Sequence, residues 1–285
     1  MSESNAQPDL TRVDDLWFPD GNLILRAENT LFRVLSSILG ARSSVFHDMV
    51  AFPQPSQPDG DTVDGHAVVC LHDSAAEVEV FLRAIFDSSF FNIPPSPVDF
   101  TTVIGVMRLA HKYDVQYLFR RALSHLDSMY PTDFSKFIDV NTSASTHHVR
   151  FKEGDIIVDT VTLRAVSEVG ALWFLPSAYY CIAGYSGLRE MAAQTLDSHD
   201  QQMCLAARVE LDILEDWSDD DDDLNPLGFW VFHYMEGLCS SCYEFGQEEF
   251  KEAQKSFWDR LPQLFGLPNW NELIEMRRKV MDGPA

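Results

Sequence analysis

Two strand-length apolar runs, residues 22–27 (NLILRA) and 30–34 (TLFRV), are separated by only Glu28 and Asn29. Two residues leave room for nothing but a tight reversal, so this stretch predicts a β-hairpin. A hairpin alone cannot cover its own apolar face and needs further elements packed on it. The next residues supply them, because the hydrophobic period changes from two to between three and four. Ser36 or Ser37 is placed to cap a short helix that Gly40 would stop. Ser43 or Ser44 is placed to cap the next, with Val45, Phe46 and Met49 on one side.

The proline-rich and glycine-rich residues 52–65 have no periodicity and predict a loop leading to a compact apolar strand at 66–71 (HAVVCL). After His72-Asp73-Ser74, with Asp73 or Ser74 as cap, Val78, Phe81, Leu82, Ile85 and Phe86 recur at helical spacing. Prolines 94, 95 and 97 interrupt this pattern, and helices are expected again over 98–112 and 115–129. The expected fold class is α/β: a small three-stranded sheet with a helical cluster over 14–130, preceded by a flexible lead over 1–13. Residues 131–155 are expected to be a linker. A mostly α-helical region follows over 156–285, with helices over 162–174, 191–196, 202–214, 228–252, 254–265 and 269–280. Residues 212–223 hold eight acids and no base, and such a run repels itself and stays solvated.

Charge excludes several partners. The 285 residues carry 44 acids against 21 bases, a net charge of −23. Without a basic block the chain has little with which to neutralise phosphates, so direct nucleic-acid binding is not expected. The same surface is repelled by anionic membranes, and no window is apolar enough to span one. The polar start MSESNAQPDL has no apolar core of the kind a signal peptide needs. Five irregularly spaced cysteines do not make a secreted disulfide framework. A location inside the cell, cytoplasmic or nuclear, is expected, with neutral or basic protein partners.

Four motifs suggest chemistry. Cys239-Ser240-Ser241-Cys242 has CxxC spacing, with His233 the nearest histidine, and these three residues are weak metal candidates. Two thiols at i and i+3 on a helix are more simply a shared buried face, so neither metal nor any other cofactor is expected. Gly184-Tyr185-Ser186-Gly187-Leu188 departs from a nucleophile elbow at Leu188, and Asp197 and His199 lie too close together to complete a triad. Counted from Asp59, residues 59–70 lack the sixth-position glycine and the twelfth-position glutamate of a calcium loop. His147-His148 is expected to be an exposed pair in the linker.

The first 130 residues resemble a BTB/POZ domain, in particular that of fungal (basidiomycete-like) proteins which pair this module with a helical region. The resemblance is carried by residues 15–25 (DLWFPDGNLIL), Phe32-Arg33-Val34, Ser37-Ile38-Leu39, residues 43–49 (SSVFHDM), and residues 109–115 (LAHKYDV) with Leu118. It covers somewhat under half the chain. It implies a non-catalytic protein–protein interaction module that forms a homodimer or docks a protein partner. Leu35, Val45, Phe46, Met49 and Phe52 would be its packing or interaction residues. Some members of the family recruit a cullin-type ubiquitin ligase, and a chromatin-associated regulator acting through a partner is a further expectation. Two departures argue against cullin binding. Leu35 stands where the family often has histidine, and residues 50–55 (VAFPQP) lack the glutamate that cullin binders commonly carry. An enzyme with an unrecognised site in the C-terminal half is the remaining alternative.

Overall fold

The computed structural model describes residues 10–51, 62–142, 148–151, 155–185, 196–214, 227 and 239–283. These divide into two compact units, one ending at Leu123 and one beginning at Ser124. The first is mixed α/β and the second is mostly helical.

Five strands, not three, build the sheet of the first unit, in the order β1-β3-β2-β5-β4. The expected hairpin is β2 (Leu23–Ala27) with β3 (Thr30–Val34), antiparallel, and Ala27 paired with Thr30 leaves Glu28 and Asn29 as the turn. Strand β5 (His66–Leu71) runs parallel to β2, with Ile24 opposite Val68. The two further strands are β1 (Thr11–Trp17), parallel to β3, and the two-residue β4 (Thr62–Val63), antiparallel to β5. Residues 11–13, expected within a flexible lead, therefore belong to a strand. Ile24 and Leu25 point to opposite faces of the central strand, and both are fully buried, so β2 is covered on both sides. The β4–β5 connection is Asp64-Gly65, with φ of 49° and 79°, the left-handed pair that a two-residue hairpin of the favoured twist requires.

Helices α1 (Ser36–Arg42), α2 (Ser44–Ala51), α3 (Ala75–Phe86), α4 (Phe100–Lys112) and α5 (Gln116–Leu126) complete the unit, whose boundary falls inside α5. The start of α1 differs from expectation. Leu35 is its N-cap, and the Ser36 N–H donates to Asn22 Oδ1 at 2.9 Å, so the residue just before β2 takes the place of the expected serine cap. The helix also runs through Gly40. In α3 the expected cap forms, with the Glu77 N–H donating to Ser74 Oγ at 3.2 Å. Gly105 lets α4 approach α3, since a Cβ there would sit 3.0 Å from Val80 Cγ2. Phe32, Phe46, Phe81, Leu109 and Leu118 are all buried. Val68 is only half-buried, on a strand that lies between β2 and the two-residue β4.

The second unit contains α6 (Phe134–Thr142), α7 (Asp155–Glu168), a 3-10 turn (Leu172–Phe174), α8 (Leu175–Tyr185), α9 (Ser198–Leu214), α10 (Ser240–Leu264) and α11 (Trp270–Met281). The expected linker over 131–155 thus holds a helix. The helix expected over 162–174 starts earlier and stops at Glu168, before Gly170 at φ 72°. Helix α8 packs against α7, α9, α10 and the 3-10 turn, and is the centre of the unit. Aromatic rings fill the space around it: Trp258 stacks on Trp270 at 4.6 Å, Phe137 meets Trp258 at 4.8 Å, and Tyr179 stacks on Phe265 at 4.9 Å. Helix α10 is continuous where two helices were expected. Residues 191–195 and most of the acidic run 212–223 lie outside the described residues.

Candidate functional site

The N-terminal end of α2 is held by four polar groups. Ser43, buried, donates its hydroxyl to the Tyr113 carbonyl at 2.6 Å, and its Oγ accepts the Phe46 N–H at 3.0 Å. Ser44 donates to Asp114 Oδ2 at 2.5 Å, and Gln116 Nε2 donates to Asp114 Oδ1 at 2.6 Å. These two bonds hold the Asp114 carboxyl below its ordinary pKa, the Gln116 bond being the stronger cause. Asp114 itself adopts φ 53°, the left-handed turn that lets α5 follow α4 directly. Tyr113 in turn donates its phenol to Asp73 Oδ2 at 2.5 Å, while Lys112 Nζ pairs with Asp73 Oδ1 at 2.5 Å. Burial, then the bond to the Asp73 carboxylate, push the Tyr113 phenol up.

This clamp fixes which way α2 faces. The Phe46 ring is 1% exposed and stacks on Tyr113 at 4.7 Å and 27°. Phe46 is therefore a core side chain with no surface to offer a partner. Val45, one residue earlier, is 43% exposed, and Met49, four residues after Val45 on the same stripe, is half-buried. On α1, Leu39 is fully buried while Ile38 is 38% exposed, and Leu35 at the N-cap is half-buried. Leu35, Ile38, Val45 and Met49 thus leave apolar surface on a pair of helices whose inner residues belong to the core. Phe52 lies outside the described residues.

The other motifs resolve differently. Cys239 and Cys242 are both exposed free thiols, not the shared buried face that was expected. Cys239 is the N-cap of α10. His233 lies outside the described residues, and among those described no three potential ligands converge on a metal position. Cys204 is buried, which pushes its thiol up to about 12 and leaves it inert at neutral pH. Asp197 caps α9 by accepting the Asp200 N–H at 2.8 Å, and Ser186 lies outside the described residues. His148 is not the exposed residue expected, since it is half-buried with Nε2 3.0 Å from Nδ1 of the fully buried His125. No helix among the described residues is long and apolar enough to cross a membrane.

The inward turn of Phe46 was hidden from the sequence, because 45, 46 and 49 all lie on one side of the helix. The position of Cys239 at a helix start was not readable, since the helical pattern expected over 228–252 runs through it. Comparison with protein-family models, with curated proteins and with solved structures finds no match.

Proposed function

We propose that the chain is a non-catalytic protein-interaction protein of BTB/POZ-like design, in which two copies pair through the α1–α2 face of the first unit. The observation behind this reading is that Ile38 and Val45 stay exposed on helices whose opposite residues, Leu39 and Phe46, are buried. Apolar side chains kept outward by a fixed framework can be covered by a second copy without rearranging that framework. The acidic surface turns partners away from nucleic acid and anionic membrane and toward neutral or basic proteins, in the cytoplasm or nucleus. The second unit would offer a separate binding surface. Cullin docking is not part of this reading, because residues 50–55 lack the supporting glutamate.

Light scattering on the full-length protein tests it. A mass of two chains at tens of micromolar is the expected result, and a single-chain mass across that range would contradict it.

A further inference from the structure

The second unit sets the dithiol Cys239-Ser240-Ser241-Cys242 at the start of its longest described helix, the 25-residue α10. Cys239 occupies the N-cap with extended backbone (φ −67°, ψ 156°), and Cys242 lies in the first helical turn. The first turn holds no acidic residue. The first-turn peptide N–H groups and the positive end of the helix dipole therefore face the Cys239 sulfur. The polar hydrogens of the Cys242 peptide and thiol hold the Cys239 thiol below its ordinary pKa, and the same pairing pushes the Cys242 thiol up. Both sulfurs are exposed, so a small reagent can reach either.

We propose that Cys239 and Cys242 form a redox-active dithiol, closed to an intramolecular disulfide by exchange with a small disulfide of the glutathione class. Cys239 attacks and Cys242 resolves. The Cys239 thiolate attacks one sulfur of the small disulfide, forming a mixed disulfide and expelling one thiolate. The Cys242 thiolate then attacks the Cys239 sulfur, forming the internal bond and expelling the second. The protein loses two electrons and two protons, and the small disulfide becomes two thiols. Residues three apart within a helix hold their Cβ atoms about 5–6 Å apart, whereas a disulfide needs about 4 Å. Cys239 stands outside the helical backbone region, so rotation at the N-cap can close that gap without unwinding α10.

The test uses full-length protein, with exposed Cys70, whose nearest thiol neighbours in sequence are far away, as internal reference. Glutathione disulfide is added until Cys70 carries glutathione. Remaining thiols are then blocked with N-ethylmaleimide, and peptides are weighed. The expected wild-type result is a peptide with both Cys239 and Cys242, lighter by two hydrogens and carrying neither adduct. Cys242→Ser should trap glutathione on Cys239 several-fold faster than Cys70 acquires it, and Cys239→Ser should lose that rate advantage at Cys242. The proposal is overturned if wild type carries glutathione on both cysteines, or if both stay open to maleimide. Trapping on Cys239 of the Cys242→Ser variant no faster than on Cys70 would also overturn it.

Discussion

Ser43 and Tyr113 stand 70 residues apart in sequence and are joined by one bond, the Ser43 hydroxyl donating to the Tyr113 carbonyl at 2.6 Å. The same hydroxyl oxygen receives the Phe46 N–H, so a single buried side chain ties the start of α2 to the end of α4. Ser43→Ala removes both bonds at once and leaves a buried carbonyl and a helix-start N–H without their partner. A loss of about 1–3 kcal/mol is expected, read as an earlier midpoint in urea with an unchanged slope. An unchanged midpoint would show that the clamp does not hold α2.

Asp114 gives that clamp a pH dependence. Its carboxyl is depressed in the folded chain, so its contribution to stability is complete above the unfolded value of about 4. It is lost as pH falls through the lower folded value. Asp114→Asn keeps a residue that tolerates the left-handed turn but cannot titrate. The variant should lose part of the acid-side slope in a plot of stability against pH while changing little in shape near neutrality. An acid limb identical to wild type would contradict this.

In the second unit, Arg277 grips Asp127 with two bonds, Nε to Oδ1 at 3.1 Å and a second guanidinium nitrogen to Oδ2 at 2.5 Å. The pairing raises the Arg277 pKa, and both side chains remain part-exposed, at 33% and 21%. Lysine cannot make the two-pronged contact. Because solvent screens the pair, Arg277→Lys should cost only about 0.5–1 kcal/mol, seen as a small drop in Tm that added salt narrows. A loss of several degrees that is insensitive to salt would point to packing instead.

Where the sequence spoke clearly, it did so through the pattern of its apolar residues. Helices α3, α4, α9 and α11 were legible because each has an apolar face opposite a polar one, and the β2–β3 hairpin and β5 as short apolar runs bounded by turn residues. Strand β1 was not, since Arg12, Asp14 and Asp15 interrupt the alternation and the ladder to β3 shifts between Arg12 and Trp17. Helix α8 was missed for the opposite reason. Leu175 through Ala183 are buried almost without break, and a helix covered on every side has no stripe for periodicity to detect. Strand β4 was announced by Asp64-Gly65, a strong hairpin signal obscured by the prolines before it. The candidate face was legible as a set of residues but not in its orientation, because neighbouring positions 45 and 46 share the same apolar character and only tertiary packing assigns one to the core.

That assignment carries the whole account, and paired substitutions in full-length protein test it by thermal melting and sedimentation velocity. Phe46→Ala should cost about 3–5 kcal/mol by opening a cavity against Tyr113. Val45→Asp should convert a dimer to a monomer that stays folded, losing only the concentration-dependent part of the wild-type melting temperature. A Val45→Asp protein that sediments as the wild-type dimer, or a Phe46→Ala protein that melts with wild type, would contradict the division of α2 into a core face and a pairing face.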